Sequence, residues 1–99
     1  MNEKWAKFYT EAARERGISE YLIGPLVRYI VYGLNPGSFL SACIRGDAHT
    51  AINEGSDNAD ELKGAFYTDF IPVMIFLHQD VPAGCIGDSA EWYGVFNFN

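Results

Sequence analysis

The stretch Pro25-Leu26-Val27-Arg28-Tyr29-Ile30-Val31-Tyr32-Gly33-Leu34-Asn35-Pro36-Gly37-Ser38-Phe39-Leu40-Ser41-Ala42-Cys43-Ile44-Arg45-Gly46 decides the fold class. Two apolar runs of helical length are separated by a glycine, an Asn-Pro pair and a second glycine. Proline suits the first position of a helix and glycine the residue past its end. The reading is therefore a helix from Pro25 to Tyr32 stopped by Gly33, then a helix from Pro36 to Arg45 capped by Asn35 and closed by Gly46. The first is apolar on most sides and is expected to be buried.

The same signals organise the flanks. Trp5, Phe8 and Ala12 recur at helical spacing within residues 3–16 and define one face, with Glu11, Arg14 and Glu15 outside. Gly17 follows as a left-handed cap, and Ile18 can fold back on the last turn. Ser19 can cap a short turn or a second helix. Asp47 caps a weaker helix reaching about Asn53, and Glu54-Gly55-Ser56-Asp57 reads as a polar loop. Asn58 and Glu61 stand as in a capping box and open the longest helix, about 59–78, with Leu62, Phe66, Phe70, Val73 and Leu77 inward. Pro72 must kink or interrupt it. Pro82-Ala83-Gly84 is a turn. The aromatic tail after Glu91, with Trp92, Tyr93 and Phe96, is too rich in rings to lie frayed in water, and is expected to dock on its own domain or on a neighbouring subunit. The expectation is a mostly α fold: one domain over residues 1–99, a compact bundle of four to five helices with an aromatic C-terminal tail.

Composition narrows the function classes. The net charge of −6 over 99 residues argues against sequence-independent nucleic-acid binding, which needs a basic surface to displace counterions. The charge is uneven: residues 1–45 carry six basic and four acidic side chains, and residues 46–99 one basic and nine acidic. Such asymmetry fits complementary faces in a self-assembling protein or two solvated surfaces. Fifteen per cent aromatic residues fit a core of large side chains, an oligomer interface or a ligand pocket. The N-terminus lacks the apolar stretch of a signal peptide and no run is long enough to span a bilayer. Cys43 and Cys85 are expected reduced, in a cytosol.

No motif carries catalysis or a metal. His49 and His78 share no local pattern with a nucleophile, and CxxC, HExxH and calcium-loop spacings are absent. No cofactor is implied. The chemically richest region is Arg28 to Arg45. The start of the helix at Gly37-Ser38-Phe39 offers backbone N–H groups and the Ser38 hydroxyl to an anion. Arg28 and Tyr32, four apart, share a helix face. Arg28, Tyr32, Asn35, Gly37, Ser38 and Arg45 are thus the candidate ligand-binding residues, for a phosphate with a stacked base; alternatively Asn35-Pro36-Gly37 merely makes a tight corner. A second candidate surface is acidic: Asp57, Asp60, Glu61 and Asp69, with Trp92, Tyr93 and Phe96, would serve a protein interface. It would inhibit a host nuclease or CRISPR complex by mimicking nucleic acid.

Residues 29–42 resemble a group of small uncharacterised bacteriophage accessory proteins. Their pattern is an aromatic-Ile pair, two residues, Gly, two more, Pro-Gly, then Phe-Leu before a small residue. An acidic segment follows, here Asp57-Asn58-Ala59-Asp60-Glu61, and later a Pro and a Cys-Trp-Gly-Ser-like turn, here Pro82-Ala83-Gly84-Cys85-Ile86-Gly87-Asp88. Ile86 and Asp88 depart from that turn, and the resemblance covers about residues 28–88. It implies an origin, a phage protein in the host bacterial cytoplasm, and carries no catalytic residues. The resulting expectation is a non-enzymatic host-defence antagonist that sequesters a small anionic, nucleotide-type ligand as a homo-oligomer.

Overall fold

The structure is a computed structural model, and it describes residues 2–56, 69–87 and 92–95. Five α-helices occur among them, α1 (Asn2–Glu15), α2 (Glu20–Tyr32), α3 (Ser38–Arg45), α4 (Ala48–Ser56) and α5 (Phe70–Gln79), with a 3-10 turn at Ala83–Cys85. No strand is present among the described residues, and the architecture is the expected small helical bundle. α1 packs on α2, α4 on α3, and α5 reaches both α3 and α1.

α2 is the central element. Leu22, Ile23, Leu26, Val27, Tyr29, Ile30 and Val31 are all buried. It begins at Glu20, so Pro25 lies inside it and not at its first position. An interior proline costs about 3 kcal/mol. Seven buried apolar side chains at about 1.5–3 kcal/mol each outweigh that, which explains why tertiary packing carries the helix through the proline read as its start. Leu40, Ala42, Cys43 and Ile44 of α3 and Val73, Phe76 and Leu77 of α5 complete the core.

The helix ends follow the sequence closely. The Gly17 N–H donates to the Arg14 carbonyl and the Ile18 N–H to that of Ala13, a Schellman closure with Ile18 buried behind it. Gly33 and Gly46 close α2 and α3 with positive φ, 77° and 73°. Asp47 caps α4 as expected: its carboxylate accepts from the Thr50 N–H at 3.1 Å and the Thr50 hydroxyl at 2.6 Å, which holds its pKa below the ordinary value.

Several expectations are corrected. The buried face of α1 is Tyr9 and Ala13, with Ala6 partly buried, whereas Trp5 and Phe8 are 41% and 55% exposed. Both sets have helical spacing; the small Ala6 and Ala13 let α2 approach closely, and the large rings are left beside the seam. α3 starts at Ser38, two residues late, because the Asn35 amide oxygen accepts from the Gly37 N–H at 2.8 Å in a local turn and does not cap a helix at Pro36. α4 continues to Ser56, through residues read as loop. Pro72 falls in the first turn of α5, where its missing N–H removes no intrahelical bond. The segment 57–68, with Asn58, Leu62 and Phe66, lies outside the described residues.

Candidate functional site

Two separated parts of the chain meet at one corner: the end of α2 with the turn 33–37 that leads into α3, and the segment 92–95. Two glycines make the meeting possible. A Cβ on Gly33 would lie 2.7 Å from the Tyr93 carbonyl carbon and 2.8 Å from the Trp92 oxygen. A Cβ on Gly94, at φ 98°, would lie 2.3 Å from the Val31 oxygen and 2.8 Å from the Tyr32 Cα. The two backbones therefore cross with no room for a side chain on either.

Trp92 locks the crossing. It is buried, and its indole Nε1 donates to the carbonyls of Tyr29 at 2.9 Å and Ile30 at 3.1 Å. Those carbonyls belong to the last turn of α2; the Tyr29 carbonyl also accepts from the Gly33 N–H at 2.8 Å, and the Ile30 carbonyl is one that the helix end leaves outside the ladder. The Trp92 and Tyr29 rings lie 6.5 Å apart, and the Tyr29 hydroxyl donates to the Cys85 carbonyl. The aromatic segment thus docks on its own domain at Trp92.

Tyr32, Leu34 and Tyr93, on the stretches of chain that cross here, are all exposed, Tyr93 at 67%. Asn35, Gly37 and Ser38 continue the exposed surface to the start of α3. The Asn35 amide oxygen also lies 3.5 Å from the Ser41 hydroxyl, so it is spent on the turn. Gly37 has φ 99°, and a Cβ there would meet nothing within 4 Å, so the glycine serves the turn's conformation and the space above it is open. With the Gly37 N–H held by Asn35, the first-turn donors of Ser38, Phe39 and Leu40 stand outside the intrahelical ladder.

The six expected ligand residues therefore divide. Tyr32, Asn35, Gly37 and Ser38 gather at the corner. Arg28 does not: its guanidinium folds back so that Nη1 lies 3.3 Å from where a Gly24 Cβ would be. That is two turns, about 12 Å along the axis, from Tyr32. The reason is the lean of helical side chains toward the N-terminus. Arg45 ends α3, about 10 Å along the axis from Ser38, where its charge suits the helix C-terminus. Tyr93, read from sequence as a protein-contact residue, joins this corner; no local signal linked it to Tyr32, since only the Gly33–Gly94 crossing does.

The acidic surface loses a member. Asp69 is 1% exposed and accepts from the Ser19 N–H at 2.7 Å and the Ser19 hydroxyl at 2.8 Å. It ties the first residue before α2 to the residue before α5, and a carboxylate between two helix N-termini is electrostatically favoured. Trp92 likewise is committed to the protein's own core. Asp57, Asp60, Glu61 and Phe96 lie outside the described residues.

Cys43 and Cys85 are free and buried. Burial pushes both thiols up to about 12, Cys43 with a further push from the Asp69 charge, so neither is a thiolate near neutrality. The His49 ring nitrogen lies 3.4 Å from the Asn53 amide on exposed α4, and His78 is exposed on α5. No group of three His, Cys, Asp or Glu side chains that could hold a metal ion occurs among the described residues. No helix among them is long and apolar enough to cross a membrane. Compared with protein-family models, curated proteins and solved structures, the chain has no match in any of the three.

Proposed function

We propose that this is a non-catalytic binding protein whose contact surface is the corner of Tyr32, Leu34, Tyr93 and Ser38, and that the corner takes a small anionic ligand of the nucleotide type. One observation carries the reading: the Gly33–Gly94 crossing brings together the backbones of two exposed tyrosines, Tyr32 and Tyr93, one short turn before the start of α3. Tyrosine faces stack on bases, and a helix N-terminus with an adjacent hydroxyl accepts a phosphate. The arginines contribute at most a diffuse field, since neither is directed at the corner. The resemblance of residues 28–88 to small bacteriophage proteins supplies the setting, the cytoplasm of an infected bacterium. There the protein would act as a homo-oligomer that antagonises a host defence by sequestering its nucleotide signal.

The test is calorimetric titration of the purified protein with linear and cyclic mono- and oligonucleotides, after native mass spectrometry for any co-purified small molecule. Stacking is worth about 1–3 kcal/mol per base, so Tyr32→Ala and Tyr93→Ala should each weaken binding by roughly 5- to 150-fold with the fold intact. Absence of saturable binding to every nucleotide tried, or binding indifferent to both substitutions, refutes the assignment.

A further inference from the structure

We draw no further inference here: the strongest candidate, the exposed Trp5 and Phe8 ring face of α1, carries nothing because nothing in the structure shows what covers it.

Discussion

Replacing Gly94 by alanine is the sharpest test of the corner. The added Cβ would lie 2.3 Å from the Val31 oxygen and 2.8 Å from the Tyr32 Cα and the Val31 carbonyl carbon, all backbone atoms that no rotamer change can move. At φ 98° an alanine is also strained. Strain of this kind costs about 1–3 kcal/mol, and forcing atoms into a packed site about 1–3 kcal/mol more. If segment 92–95 held its place, the loss would be about 2–6 kcal/mol; if the segment lifts off instead, Trp92 leaves the core. Gly17→Ala is the control, because Gly17 has a similar φ of 84° and open space where its Cβ would stand. It should cost only the conformational part, about 1–2 kcal/mol. The assay is tryptophan fluorescence in a Trp5→Phe background, so that Trp92 reports alone, with acrylamide quenching and urea unfolding. Gly94→Ala should redden and expose Trp92 and lower the melting temperature by roughly 8 °C or more. A variant with blue, unquenched Trp92 emission and no greater loss than Gly17→Ala would refute the crossing.

Other consequences follow from buried groups. Asp69→Ala should cost about 2–4 kcal/mol in urea unfolding, since it removes two charge-assisted bonds and strands the Ser19 N–H; Asp69→Asn, which keeps one acceptor, should cost less. Native Cys43 and Cys85 should resist a thiol reagent until the protein unfolds. An unfolded thiol ionises near about 8.5, whereas the native ones stay protonated to about 12; their contribution is whole below the lower value and is lost as pH rises between the two, so unfolding free energy should fall over that window. Asp80 accepts from Nε and Nη2 of Arg16, at 2.7 and 2.9 Å, and this holds its pKa below the ordinary value. Its contribution is present above the unfolded pKa and lost as pH falls through the folded one, so Asp80→Asn should lower the melting temperature at pH 7 and match the wild type in strong acid.

Local chemistry was legible in the sequence wherever one residue's conformation decides the outcome. Gly17, Gly33 and Gly46 end helices because each adopts a positive φ that side chains resist, and Asp47 caps α4 because a carboxylate there reaches the N–H three residues on. The helical class follows from apolar spacing alone. What spacing could not decide is which of two apolar stripes on α1 meets α2, or that Pro25 would be absorbed into a helix, because both depend on how closely a partner element can approach. The corner lay furthest from reach. Tyr32 and Tyr93 are sixty-one positions apart, and their backbones meet only because two glycines let them touch and one indole donates to carbonyls in the last turn of α2. Arg28 shows the converse: its position in sequence placed it beside Tyr32, and the lean of its side chain along α2 took its charge away. Sequence determines the elements and their ends through φ, capping and periodicity; tertiary structure determines which surfaces are left over, because close packing is a property of neighbours.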